Sequence, residues 1–258
     1  MDPERSRCRA ASEALAELRA TAAPRLAFLR RAPAGLGDGA GALLCLSASF
    51  NPLTVAHTAL IREASRLIPP REVLLLLAMA NVDKPVAGLP LEARLDLLVR
   101  YAESRPSLSV AAIAHGRFVD KLEAIHTAYP TGTRVIFLLG FDTLVRLFDQ
   151  KYYPDRTAAL SRLFGGSECI VANRSPAPPS DVDAFLARNE VSPFARRIHS
   201  IQLPADLAEV SATAVRARLA LGEPVFDLIP PEIRTSLSRM IREKPSRIMR
   251  NCATPNDQ

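Results

Sequence analysis

The chain has 258 residues, 48% hydrophobic and 23% charged, with 33 Lys and Arg against 27 Asp and Glu for a net charge of +6. That length and apolar fraction support a single α/β-sized domain with a substantial core, and the apolar runs stay short of the roughly 20 residues a membrane helix needs, so no membrane partner is expected. The basic excess suits an anionic ligand, yet it is spread along the chain and aromatics reach only 5%, which argues against sequence-specific nucleic-acid reading.

In chain order, residues 10–31 read as an amphipathic helix, followed by the Gly-rich stretch GLGDGAG at 35–41. Those glycines precede a strand instead of following one, so a flexible linker is expected and a dinucleotide fingerprint is not. Strand-like apolar runs lie at 43–48, 73–79, 108–113, 134–140, 168–172 and 198–202, and helical patterns at 57–68, 90–104, 117–129, 142–150 and 181–189. Strands alternating with helices imply right-handed crossovers, hence an α/β, Rossmann-like doubly wound parallel sheet flanked by helices on both faces. The expected organisation is an N-terminal helical appendage and linker (1–41), one main domain (42–241) and a disordered tail (242–258). Residues 172–181, ANRSPAPPSD, read as a Pro-rich loop. Cys8, Cys45, Cys169 and Cys252 show no CxxC, and His57, His115, His126 and His199 no zinc-type spacing. Free thiols in the cytoplasm or nucleus, and no protein-held metal, are the expectation.

Two stretches carry chemistry. In LLCLSASFNPLTVAH (43–57) a buried strand breaks at Asn51 and Pro52, and Thr54 stands as the cap of a helix with His57 one turn on. Backbone N–H groups and the helix dipole at such a start favour a phosphate. A capped helix with a surface His explains the same residues. In EVSATAVR (209–216), Ser211 and Thr213 open a second helix and Arg216 shares the face of Thr213. A guanidinium beside hydroxyls is a fork for phosphate oxygens, although a capped helix with a solvated Arg is common.

SFNPLTVAH resembles the (H/T)xGH signature of the nucleotidylyltransferase superfamily, and VSATAVR resembles its SSTxxR signature. Between them MANVDKP, LPLEARLDLL, FLLGFDTLVRL and CIVANRS resemble, in order, blocks of the nicotinamide/nicotinate mononucleotide adenylyltransferases, in their divergent fungal-type form. The likeness runs from about Leu43 to Ile233. It implies transfer of AMP from ATP to nicotinamide or nicotinate mononucleotide, with pyrophosphate released and Mg²⁺ bound with the ATP. It further implies His57, Thr54 and Arg216 as catalytic residues. Ser49, Phe50, Asn51, His57, Gly140, Asp142, Ser211, Thr213 and Arg216 would contact ATP. Ser47, Asn81, Lys84, Arg94, Asp142 and Arg174 would contact the acceptor. Thr54 stands where these enzymes usually carry the first His, Ala56 replaces the Gly of the motif, Ala212 replaces the second Ser, and there is no Trp to stack on a nicotinamide ring. The Ala56 methyl is expected to crowd a nucleotide packed on the backbone. Two other readings stay open: a cytidylyl- or phosphopantetheine-type transferase, and a nucleotide-binding protein weakened in catalysis.

Overall fold

The computed structural model describes residues 3–79, 88–173, 179–208 and 210–243. In chain order the elements are α1 (Pro3–Ala20), β1 (Ala27–Arg30), β2 (Ala42–Ala48), α2 (Val55–Leu67), β3 (Glu72–Ala78), α3 (Leu91–Ala102) and β4 (Leu108–Ile113). Then follow α4 (Phe118–Ala128), β5 (Arg134–Gly140), α5 (Phe141–Leu147), α6 (Arg156–Gly166), β6 (Ser167–Asn173) and α7 (Pro179–Leu186). The last are β7 (Ile198–Gln202), α8 (Ala205–Ala208), α9 (Ala212–Ala220) and α10 (Pro231–Glu243).

Among the described residues the strands form one seven-stranded sheet in the order β1-β4-β3-β2-β5-β6-β7. Every pairing is parallel except that of β1 with β4. The apolar strands are built for burial on both faces: Leu44 and Leu46 of β2, with Val73, Leu75 and Leu77 of β3, enter the layer beneath α2 and α3. Leu43, Cys45, Leu74 and Leu76 enter the opposite layer with α4, α5 and α6. The chain steps from β2 to β3 and β4 on one side, then returns to place β5, β6 and β7 on the other. Strand order therefore reverses between β2 and β5, and such folds take their ligands at the carboxyl ends of the strands at that point.

Three expectations need correction. The helix over 10–31 stops at Ala20, because Pro24 disfavours helical backbone before it, and 27–30 pairs as an antiparallel edge strand with β4. Leu15 and Leu18 of α1 are buried in the same apolar layer as α2 and α3, and Arg7 reaches the buried Asp96 of α3 at 2.7 Å. The appendage is thus part of the body of the fold. The Gly-rich stretch is packed too: Leu36 is buried, its N–H donates to Glu72 Oε2 at 2.9 Å, and a Cβ on Gly35 would overlap that carboxylate. Ser109 Oγ and Tyr129 OH, each 2.6 Å away, complete the donor set around buried Glu72 at the amino ends of the strands. Finally, the helix expected over 142–150 ends at Leu147, and a helix no expectation covered follows at Arg156–Gly166. Asp155 caps a separate α6 through Ala158 N at 2.9 Å, after Pro154. No helix among the described residues is long and apolar enough to cross a membrane.

Candidate active site

The first signature sits at the carboxyl end of the central strand. After Ala48 the chain turns through Phe50, whose φ of +42° lies in the left-handed region that non-glycine residues avoid, a strain held by burial of its ring. Thr54 is buried at the N-cap of α2. It forms a capping box in which its Oγ1 accepts from His57 N, and its own N–H donates to His57 Nδ1 at 3.0 Å. A backbone N–H can only donate, so neutral His57 carries its proton on Nε2. The box that starts the helix also fixes the tautomer. The Phe50 ring, 5.4 Å away centroid to centroid, supports the imidazole from the side.

The second signature arrives from 165 residues away. Ser211 caps α9 through Ala214 N at 3.0 Å, and Arg216 one turn later places Nη2 3.1 Å from Thr213 Oγ1. Its Nη1 donates to the Asn51 carbonyl at 3.0 Å. That hydrogen bond clamps the start of α9 against the loop that leads into α2. The Leu228 carbonyl reinforces the junction by accepting from Val55 N at 3.0 Å. The start of α9 is thus tied by its Arg216 to the loop that precedes the start of α2, and each start favours anions.

Buried Asn51 holds a third element: its Oδ1 accepts from Leu89 N at 2.9 Å. Gly88, at φ +110°, lets that chain pass. A Cβ there would stand 2.7 Å from both Asn51 side-chain termini and 2.8 Å from Arg216 Cδ. Arg94, expected beside the acceptor, is 3% exposed; its Nε donates to the Leu89 carbonyl at 2.6 Å and its Nη1 lies 3.5 Å from the Ser49 carbonyl. Those bonds make it a brace beneath the loop. Gly140 is the N-cap of α5, and Asp142, exposed in the first turn, stands at the end of the strand neighbouring β2. Ser47, near the end of β2, has its Oγ buried without a partner. Asn81, Lys84 and Arg174 lie outside the described residues.

The crowding expected from Ala56 does not arise on this backbone: Ala56 is 1% exposed and its methyl packs in the apolar layer, away from the loop surface. Sequence reasoning passed over Gly88, Asn173 and Lys121. Asn173 ends β6 with its Oδ1 buried and unpartnered, while Lys121 is buried in α4. The signal for Lys121 was legible, because Phe118, Lys121, Leu122 and Ile125 fall on one helical stripe, where a lysine interrupts an otherwise apolar face.

A strand-order reversal with two anion-favouring helix starts clamped by one arginine belongs to a nucleotidyl-transfer fold. The cytidylyltransferase-like family matches residues 46–218, two thirds of the sequence, and the chain belongs to it. Among its relatives is a Schizosaccharomyces pombe protein named for nicotinamide mononucleotide adenylyltransferase, 29% identical over 204 residues, covering 73% of this chain and 80% of the relative. A Bordetella pertussis protein named for nicotinate-nucleotide adenylyltransferase is 30% identical over 200 residues, covering 73% of this chain and 90% of the relative. The solved Plasmodium falciparum nicotinic acid mononucleotide adenylyltransferase complexed with NaAD superposes with a TM-score of 0.54 at 15% identity, over 79% of this chain and 96% of that one. At that identity the likeness is one of fold.

Proposed function

We propose that the protein is a nicotinamide/nicotinate-nucleotide adenylyltransferase, moving AMP from ATP to the mononucleotide to form NAD or its acid analogue. The observation that carries the reading is the Arg216–Asn51 clamp, which ties the start of α9, with Ser211 and Thr213, to the loop that leads into Thr54 and His57. The triphosphate lies between the two helix starts, with adenosine along Ser49, Phe50, Asn51, Gly140 and Asp142. An oxygen of the acceptor 5′-phosphate attacks the α-phosphorus. The bond from that phosphorus to the bridging oxygen breaks, and its electron pair leaves with pyrophosphate. No covalent enzyme intermediate is needed, since positioning and charge stabilisation supply most of the rate in such transfers.

Within that scheme His57 Nε2–H donates to an α-phosphate oxygen, aligned by the Thr54 contacts to Nδ1. Arg216, with Thr213 and Ser211, stabilises the β- and γ-phosphates as charge builds on the leaving group. Ser47 and Asp142, with Asn81, Lys84 and Arg174 from outside the described residues, are the proposed acceptor contacts, and Arg94 braces the 49–51 loop. Mg²⁺ bound with ATP would spread the negative charge of the phosphates. The side chains gathered at the helix starts are hydroxyls, an imidazole and a guanidinium, so such an ion would take its oxygens from phosphate and water.

The test is incubation of purified protein with ATP, Mg²⁺ and either mononucleotide, following dinucleotide and pyrophosphate by chromatography, with CTP and phosphopantetheine in parallel. Dinucleotide formation lost in His57→Ala supports the reading. Pyrophosphate released only with another pair of substrates overturns it.

A further inference from the structure

The sheet face opposite α2 carries a charged group that the mechanism above does not use. Lys121 stands in the first turn of α4, 4% exposed. Because α4 returns the chain from the carboxyl end of β4 to the amino end of β5, its first turn lies at the carboxyl ends of the strands, the ligand end of the sheet. Helical side chains lean toward the helix N-terminus, so Lys121 leans that way. Its ammonium rests 4.2 Å from the Phe118 ring centroid and makes no hydrogen bond or ion pair among the described residues.

The acidic neighbour, Asp120, is already engaged by Arg117 through two hydrogen bonds of 3.0 Å. Burial disfavours the charged lysine, lowering its pKa to about 8, and the groups that act against this are Cys45 and Asp120. Cys45 belongs to β2, on the face turned to α4. Two residues further toward the ligand end on that face is Ser47, whose Oγ is buried without a partner. A buried ammonium with no acceptor is costly in an apolar layer unless something neutralises it. Here a second unsatisfied polar group lies in the same direction, toward the ligand end.

We propose that Lys121, with Ser47, forms a subsite for the carboxylate of a nicotinate mononucleotide, making Lys121 the residue that favours the acid acceptor over the amide. The proposal rests on the adenylyltransferase reading. The other acceptor anion, the 5′-phosphate, must reach the α-phosphorus beside His57, and α2 packs on the opposite face of the sheet. The far end of the acceptor, its pyridine ring, is the part left to face α4. A carboxylate there neutralises the ammonium, while a carboxamide leaves it charged and unpaired.

The experiment measures kcat/KM for nicotinate and nicotinamide mononucleotides, with ATP and Mg²⁺, in the full chain and in Lys121→Met. The ratio of the two values is independent of the folded fraction. The intact protein is expected to prefer the acid, and Lys121→Met to lower the acid-to-amide ratio roughly tenfold or more, as when one partner of a buried charge pair is truncated. An intact protein that prefers the amide overturns the proposal. So does equal loss on both acceptors, which assigns Lys121 to the phosphate or to packing. If neither acceptor yields dinucleotide, the adenylyltransferase reading fails. Calorimetric titration of the intact protein and the variant with each mononucleotide then decides the subsite, and acid binding that is indifferent to Lys121→Met overturns it.

Discussion

Substituting Gly88 by alanine tests the interlock of three segments far apart in the chain. At φ +110° an alanine pays the left-handed penalty, about 1–2 kcal/mol. Its Cβ would also stand 2.7 Å from the Asn51 side chain and 2.8 Å from Arg216 Cδ, so one of them must move. Both are anchored: Asn51 accepts from Leu89 N at 2.9 Å, and Arg216 donates to the Asn51 carbonyl at 3.0 Å. Leaving one buried group unpaired costs a further 1–3 kcal/mol or so, for a total of about 2–5 kcal/mol. For a chain of this size, at about 2–4 °C per kcal/mol, that lowers Tm by about 4–20 °C. Gly222 at φ +73° has nothing within 4 Å of its Cβ position, so Gly222→Ala isolates the backbone penalty alone. The assays are thermal denaturation of both variants and the KM for ATP. Gly88→Ala is expected to lose more stability than Gly222→Ala and to raise the KM for ATP, because Arg216 is displaced with the loop. Equal Tm losses in the two variants, with an unaltered KM, would refute the interlock.

His57→Ala removes a donor to the α-phosphate, and kcat should fall about 100-fold while the KM for ATP changes little. An unchanged kcat in steady-state assays defeats the role given to His57. Arg216→Lys keeps the charge but cannot span Asn51 O and Thr213 Oγ1 together, so it should raise the KM for ATP nearly as much as Arg216→Ala does. Recovery of wild-type kinetics by lysine would show that charge alone suffices there. At the amino ends of β5 and β6, Arg134 donates twice to Glu168, at 2.7 and 2.8 Å, and His199 Nε2 lies 2.9 Å away. The Arg134 hydrogen bonds, with help from His199, hold the Glu168 carboxyl down to about 2 from an ordinary 4.5. A depressed carboxyl stabilises the fold above its unfolded pKa, and that contribution is lost as pH falls from 4.5 through about 2. Melting curves across that window should be flatter for Glu168→Gln than for the parent. Parallel curves would show that the pair does not contribute.

The alternation of apolar runs and amphipathic stretches, and the two polar helix starts, were readable because each is a local property. Burial on both faces leaves a continuous apolar strand, and Thr54, His57, Ser211 and Thr213 act within one helical turn of their own backbone. The order of strands, and so the reversal between β2 and β5, depends on which edges meet in space. The same holds for β1: its four residues, AFLR, pair only because the outer edge of β4 is there to accept them. Arg94 has the sequence signature of a helical surface arginine, and only the placing of the 49–51 loop above it turns it into a buried brace. Gly88 and Arg216 could not be linked from the sequence, since their constraint is a steric one created when residues 51, 88 and 216 come within contact distance. Composition and local pattern thus determine that the chain is a layered α/β domain carrying two anion-favouring helix starts. That those starts are tied together through Arg216 and Asn51, and that Lys121 lies buried on the opposite face, follows from long-range packing, which no local window of sequence contains.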